Sequence, residues 1–132
     1  MEFVIGAARL NSDRGGGPFA AGVFDADSGA LVALGVNLVL GAKLSVLHAE
    51  VVAIAAAQAR LESFDLGAPG LPAHELVSSA EPCAMCLGAV HWSGVRRLMV
   101  GARGADVEAS GFDEGPKPAD WRTELMRRGV GG

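Results

Sequence analysis

The sequence predicts an α/β fold, a three-layer α/β/α sandwich built on a mixed sheet. Apolar, strand-like runs alternate along the chain with segments rich in helix-forming residues. Only the first two strand-like runs are joined by a short turn, and helical segments separate the later ones. Because parallel strands need crossover connections, we expect an N-terminal antiparallel hairpin with parallel strands after it. With 132 residues, half of them hydrophobic, the chain should form one domain, residues 1–132.

The N-terminal third of the chain predicts a helix followed by the hairpin. Residues 2–10 are compatible with a short helix, which the turn-forming residues and glycines of 11–17 should end. Residues 19–24 and 31–40 are apolar and strand-like, and the segment DADSG between them has the composition of a turn. These two runs predict the first two strands of the sheet.

The rest of the chain alternates helices and strands. The clearest helix is 48–62, HAEVVAIAAAQARLE, in which four residues are spaced for one face: Val51, Ile54, Ala55 and Gln58. A strand is predicted over 75–79, a helix over 83–93 that Gly94 should end, and a strand over 97–101. Residues 111–118 read as a loop and 119–128 as a final helix.

The charge balance restricts the class of partner. The formal net charge is -4, and no basic run is longer than a pair of arginines, so the sequence lacks the positive surface of a nucleic-acid-binding protein. We expect a small, neutral or cationic substrate. Glu2 stands where a signal peptide would carry positive charge, and no apolar run approaches ~20 residues, so a cytoplasmic protein with no membrane contact is predicted.

The segment SSAEPCAMC, residues 78–86, contains both cysteines of the chain. In a reducing cytosol, Cys83 and Cys86 are better suited to metal binding or catalysis than to a structural disulfide. A CxxC pair at the start of a helix also fits a redox protein, so the pair alone does not decide. His48 and Glu50 add the pattern H-x-E, and together with P-C-x-x-C this is the sequence pattern of zinc-dependent nucleobase deaminases.

Each residue of this pattern has a chemical role. Zinc prefers nitrogen and sulfur ligands, and a catalytic zinc keeps one coordination position for water, so His48, Cys83 and Cys86 are sufficient protein ligands. Glu50 lies about 200° around the helix from His48, and it is therefore predicted to face the bound water rather than the metal. In that position its carboxylate would shuttle protons between water, ring nitrogen and leaving amine.

At these residues the chain resembles the cytidine deaminase superfamily, specifically its guanine deaminase branch in bacteria. The likeness covers most of the chain, including GGPFAAGVF at 16–24, HAEVVAIAAAQARL at 48–61, SAEPCAMCLGAVHWSG at 79–94 and GFDEGP at 111–116. It extends to a subgroup that accepts the triazine ammeline as well as guanine. The resemblance implies the cytidine deaminase type of sandwich and a homodimer. Such relatives continue into a further strand and helix that close the site, elements expected to be absent from 1–132.

The resemblance also implies an activity and a set of substrate contacts. Guanine would be hydrolysed to xanthine and ammonia by hydroxide on one zinc ion per chain, with Glu50 as proton shuttle. Asn37, helped by the backbone N–H of Ala49, would hydrogen-bond the carbonyl edge of the purine, and Phe19 and Trp92 would line or stack on its ring. Glu114 would bind the 2-amino group or assist its departure.

Several alternatives stay open at this stage. Ammeline or cytosine could replace guanine as the substrate, and a tRNA adenosine deaminase shares the same motifs, although the acidic charge balance disfavours RNA. Outside enzymes, the pattern would fit a redox CxxC protein or a zinc-binding protein without activity, in which His74 or His91 would supply a fourth ligand. Glu81 is interpreted as a residue that stabilises a helix start.

Overall fold

The structure is a computed structural model that describes residues Met1–Gly132. Ten elements follow one another along the chain: α1 (Glu2–Asp13), β1 (Ala20–Asp25), β2 (Leu31–Val36), α2 (Val39–Ala42), α3 (Ala49–Leu61), β3 (His74–Ala80), α4 (Ala84–Ser93), β4 (Arg97–Ala102), α5 (Gly104–Ala109) and α6 (Trp121–Arg127). None of these helices has the length and apolar character needed to cross a membrane.

The four strands form one mixed sheet in the order β2-β1-β3-β4. Strand β1 pairs antiparallel with both β2 and β3, whereas β3 and β4 are parallel. Strands β2, β3 and β4 therefore run in the same direction, and their carboxyl ends lie along one edge of the sheet. This edge is where the segments that follow the strands can converge. The predicted α/β sandwich with its N-terminal hairpin is confirmed.

The sheet is covered on both faces because successive strand residues point to opposite sides. On one face, Ala21 and Val23 of β1 belong to the larger core cluster together with buried residues of α3 and α4. On the other face, Ala20 joins Val4 of α1 in a smaller cluster. The two clusters position α3 and α4 on the same face, with their N-termini near the carboxyl edge.

Helix α3 lies against the backbone of β2. A Cβ atom added at Gly35 would come within 3.0 Å of the Cα of Ala53, so only glycine permits this approach. The buried face of α3 consists of Ala49, Glu50, Ala53, Ile54 and Ala57. The face predicted from Val51, Ile54, Ala55 and Gln58 is wrong except at Ile54, because small residues are required where a helix contacts a strand backbone.

Two other elements differ from the expectation. The second strand ends at Val36, not at residue 40, because the Asn37 side-chain oxygen accepts a hydrogen bond from the N–H of Val39 and begins the short helix α2. Helix α5, Gly104–Ala109, was not predicted, since its six residues carry no apolar periodicity. Helix α1 continues to Asp13, through residues that were expected to form a turn.

Candidate active site

A cavity of about 330 Å³ opens at the carboxyl edge of the sheet. Its wall combines the residues before β1, the segment after β2, the starts of α3 and α4, and the loop after α5. The lining residues are Gly17, Phe19, Asn37, Val39, Leu40, His48, Glu50, Ser78, Ala80, Glu81, Cys83, Val107, Phe112, Asp113 and Glu114. The cavity thus contains most of the residues that the sequence singled out.

Three possible metal ligands meet at this cavity. His48 immediately precedes α3 and Cys83 immediately precedes α4, while Cys86 lies in the first turn of α4. The Nδ1 atom of His48 is 3.5 Å from the Cys83 sulfur and 3.6 Å from the Cys86 sulfur. All three donor atoms lie within 4.8 Å of one another. One nitrogen and two sulfurs at this spacing fit a zinc ion that keeps a fourth position for a non-protein ligand.

The group of possible ligands contains neither of the other histidines. His74 is buried, and its Nδ1 lies 2.8 Å from the carbonyl oxygen of Leu66. A four-ligand structural zinc site, which would need His74 or His91, is therefore not formed.

The two cysteine sulfurs differ in their affinity for a proton. A hydrogen bond from the Cys86 side chain lowers the pKa of Cys83 to about 5, further helped by backbone N–H groups at the start of α4. The same hydrogen bond, together with burial, raises the pKa of the Cys86 thiol. Cys83 is therefore the sulfur that ionises more readily, and the thiolate is the form of cysteine that binds a divalent cation.

Glu50 lies in the first turn of α3 and faces the cavity. Only 7% of it is exposed, and this burial raises the pKa of its carboxyl group; the negative charge of Cys83 acts in the same direction. A carboxyl group with a raised pKa is suited to accepting and releasing a proton near neutral pH. The position of Glu50 beside the three donor atoms thus fits a proton carrier.

Glu114 enters the cavity from the loop after α5. Its carbonyl oxygen accepts a hydrogen bond from the N–H of Ala84, at the start of α4. The residue is 4% exposed, its Oε1 atom has no hydrogen-bond partner, and burial raises the pKa of its carboxyl group. The buried Oε1 atom faces away from solvent, and Glu114 contributes to the cavity lining as a residue, so a ligand in the cavity would lie next to its carboxyl group.

Of the residues predicted to contact substrate, some lie at the cavity and one, Trp92, lies on the exposed surface. Phe19 lines the cavity, with its ring packed edge-on against Phe112 at 4.9 Å between centroids, and Asn37 lies on the wall beside it. Ala49 is fully buried as the first residue of α3, so its N–H has no partner within the helix. Trp92, by contrast, is 79% exposed on α4 and does not line the cavity of its own chain.

Some residues of the site were not identified from the sequence. Phe112 lies two residues before Glu114 in the segment GFDEGP. An aromatic residue so near a candidate site residue could have indicated that Phe112 also lines the site. Glu81, interpreted as a helix-start residue, lines the cavity and forms an ion pair with Lys117. Lys117 is a single lysine between two prolines, and no sequence pattern marks it.

Comparison with known proteins assigns the family. The sequence profile of the cytidine and deoxycytidylate deaminase zinc-binding region matches residues 1–102. The chain belongs to this deaminase family. The deaminase is 38% identical over 114 residues to guanine deaminase of Bacillus subtilis strain 168, an alignment that spans 82% of the chain and 69% of that relative. Its zinc-dependent aminohydrolase class is therefore established, as the sequence predicted.

Solved structures share the fold of the deaminase. A guanine deaminase from Nitrosomonas europaea is 54% identical, with a TM-score of 0.97 over 98% of the chain and 71% of that structure. A mutant of the protein NE0047, also with a TM-score of 0.97 and 54% identity over 98% of the chain and 71% of that structure, was solved in complex with 8-azaguanine. A tRNA:A34 deaminase structure matches at 28% identity and a TM-score of 0.71, over 80% of the chain and 76% of that structure. The guanine deaminases are therefore the more similar of these relatives.

Proposed function

We propose that the deaminase hydrolyses guanine to xanthine and ammonia. The observation that carries the proposal is the cavity in which Glu50 and Glu114, two buried carboxyl groups, adjoin the donor atoms of His48, Cys83 and Cys86. The relatives support the choice of base, since two of them are guanine deaminases and NE0047 binds 8-azaguanine and 2,6-diaminopurine.

His48, Cys83 and Cys86 would hold one zinc ion per chain. When bound, zinc supplies Lewis-acid activation of a water molecule. Glu50 would accept one proton of the attacking water and give it to a purine ring nitrogen, and it would then carry the second proton, from the hydroxyl group added at C2, to the departing amine. The two protons of water thus end on the ring of xanthine and on ammonia. The burial of Glu50 keeps its carboxyl group able to hold a proton during the reaction.

The remaining wall residues would orient the base. Phe19, supported by Phe112, provides an aromatic face on which a flat ring can stack. The Asn37 side-chain oxygen is already paired with the Val39 N–H, so its amide NH₂ group is the part free to donate to a purine carbonyl. The Ala49 N–H would donate a second hydrogen bond, and the carboxylate of Glu114, a residue of the cavity lining, would accept one from the 2-amino group.

We also propose a compartment, a metabolic process and the extent of the catalytic domain. Two free cysteines that must remain reduced to bind a metal favour a reducing compartment, the cytoplasm. Release of ammonia from guanine would be a step of purine catabolism. Residues 1–132 would act as one catalytic domain, because both core clusters pack on the same sheet.

We further propose that two copies of the deaminase associate through α4. Met85, Gly88 and Trp92 recur at helical spacing along the exposed side of this helix. Trp92 and Met85 are 79% and 39% exposed, and a large aromatic residue on an exposed apolar stripe is typical of a protein interface. A homodimer would cover this stripe.

The test is to measure ammonia release from guanine, ammeline, cytosine and adenosine, with zinc quantified on the same sample. The proposal predicts rapid release from guanine and one zinc per chain. Faster release from ammeline or cytosine would reassign the substrate. Zinc without release from any of these compounds would contradict the proposed activity and leave only the metal site.

A further inference from the structure

The cavity wall carries more than one carboxylate, and one half-buried lysine, Lys117, lies behind two of them. Lys117 forms an ion pair with Glu81, and its Nζ atom lies 3.8 Å from Oε1 of Glu114. Its side chain is only 11% exposed, and its ammonium group also lies 5.3 Å from the ring centroid of Trp121. Since Lys117 does not line the cavity, any effect it has on substrate must pass through the two carboxylates.

The backbone around Lys117 is fixed independently of its ammonium group. The N–H of Lys117 donates to the carbonyl of Gly115 at 2.8 Å, and the N–H of Gly115 donates to Asp113 Oδ1 at 2.8 Å. The carbonyl of Glu114 is bonded to the N–H of Ala84 at 2.8 Å. Because these bonds hold the main chain, the direction of the Glu114 carboxylate is the freedom that remains.

The space around the ammonium group is equally restricted. Helix α5 begins at Gly104, and a Cβ atom added there would lie 3.1 Å from Lys117 Nζ and would collide with Oε2 of Glu81. The lysine is thus enclosed by Gly104, the Trp121 ring and the two carboxylates. An ammonium group that cannot move away exerts a constant attraction on both carboxylates.

We propose that Lys117 is a positioning residue: it faces the buried Oε1 atom of Glu114 from behind the cavity wall and so holds that carboxylate where it can bind the amine of the substrate. The ion pair with Glu81 anchors the ammonium group, which at 3.8 Å from the buried Oε1 atom attracts the Glu114 carboxylate without forming a hydrogen bond to it. Without the lysine, two buried carboxylates would face each other and Glu114 would turn away. This inference rests on the proposed deamination of guanine, in which Glu114 acts on the leaving amine.

The first test compares Lys117→Met with Arg122→Met in the zinc-loaded protein. Lys117→Met should lower kcat for guanine by about 10- to 100-fold with little change in KM, since displacement of a group that acts on the amine affects the reaction step. Arg122 is a matched control. It lies 3.9 Å from Glu81 and 4.6 Å from the Trp121 ring, but it is 57% exposed and forms no ion pair with Glu114. Arg122→Met should leave kcat unchanged.

A double-mutant cycle identifies the carboxylate through which Lys117 acts. In a Glu114→Gln background, Lys117→Met should cause no further loss of kcat, because the group that it positions is already gone. An equal fold loss in both backgrounds, or a rise in KM alone, would overturn the proposal. If Lys117→Met proves unstable, the variant Lys117→Met with Glu81→Gln removes the ion pair as a unit, and the same comparison is made against Glu81→Gln.

Crystal structures supply a readout that does not depend on the substrate. In zinc-loaded Lys117→Met, the Glu114 carboxylate should be rotated out of the position that it has in the zinc-loaded wild type. An unchanged carboxylate would overturn the positioning role even if guanine is the substrate. Conversely, if the wild type does not deaminate guanine but the Glu114 carboxylate is rotated in Lys117→Met, the proposed substrate is refuted and the role of Lys117 is supported.

Discussion

His48 and Glu50 are two residues apart, yet the start of α3 gives them different surroundings. His48 precedes the helix with an extended backbone and points its Nδ1 towards the two cysteine sulfurs. Glu50 is inside the first turn, where burial raises the pKa of its carboxyl group. A metal ligand and a proton carrier can therefore be adjacent without competing for the same position.

Replacing Glu50 by Gln should separate metal binding from turnover. The amide has almost the same shape but cannot accept the proton from water, so kcat should fall by about 10²- to 10⁴-fold. Zinc content, measured by mass spectrometry on the same sample, should be unchanged. The control is Glu62→Gln at the exposed end of the same helix, which should retain full activity. Normal kcat in Glu50→Gln would refute its role as proton shuttle.

Replacing Glu114 by Gln should stabilise the protein, and the gain should grow with pH. Burial raises the pKa of this carboxyl group above its ordinary value of 4.5, so the folded state binds the proton more tightly than the unfolded state. Below that value both states are protonated and the residue has no pH-dependent effect. As the pH rises through the folded-state pKa, ionisation of the buried group reduces stability, and Gln avoids that loss.

The measurement is the difference in Tm between the Glu114→Gln protein and the wild type at several pH values from 5 to 7.5. This difference should increase with pH. Glu62→Gln, at the exposed end of α3, is the control and should show no such trend. A constant difference across the range would mean that the Glu114 carboxyl group does not titrate differently in the folded and unfolded states.

At the scale of elements, the contact between β2 and α3 determines where the histidine lies. Gly35→Ala should destabilise the protein by about 1–3 kcal/mol, because the added methyl group meets the backbone of α3, which cannot rotate away. It should also weaken zinc binding, since α3 carries the residues next to His48. Thermal unfolding and zinc titration measure the two effects.

Gly6→Ala is the matched control for this prediction. Gly6 lies on the exposed side of α1, and a Cβ atom there meets nothing within 4 Å. Alanine in a helix interior is more favourable than glycine by about 0.5–1 kcal/mol, so this variant should be slightly more stable. If both variants change stability equally, the close approach of α3 to Gly35 is not what requires the glycine.

The elements that the sequence predicted well are those marked by local signals. The turn composition between β1 and β2 indicated the hairpin, and the alanine-rich run indicated α3. The end of β2 was misplaced because Leu38, Val39 and Leu40 continue an apolar run, whereas a single hydrogen bond from the Val39 N–H to the Asn37 side-chain oxygen redirects the backbone. A single hydrogen bond of this kind leaves no repeating pattern of residues in the sequence, so it could not be predicted.

In the site, too, the residues with a local sequence signal were predicted, and those that depend on tertiary contacts were not. The spacing of H-x-E and P-C-x-x-C was sufficient to name the residues whose donor atoms the structure brings within 4.8 Å. The exposure of Trp92 depends on which elements pack around α4, and the burial of Lys117 depends on α5 and α6. Contacts between distant segments of this kind cannot be read from residue spacing.

At the scale of the whole molecule, the exposed stripe on α4 predicts self-association. Sedimentation should give a mass about twice that of the 13.4 kDa chain, and Trp92→Asp should give the monomer, because a carboxylate would be buried without a partner. Phe3→Asp is the control: Phe3 is 58% exposed, but it belongs to α1 on the opposite face of the sheet. A monomeric wild type would refute the homodimer.

The strand order has a consequence for the lifetime of the protein. His48 is 35 residues from Cys83, and they meet only when β1 has paired with both β2 and β3. Zinc would therefore bind the native state and not its fragments, and above the dissociation constant each tenfold rise in free zinc would add about 1.4 kcal/mol to the free energy of unfolding. A chelator should then promote unfolding and proteolysis as well as inhibit the reaction. In a zinc-starved cell, the amount of this protein should fall together with its activity.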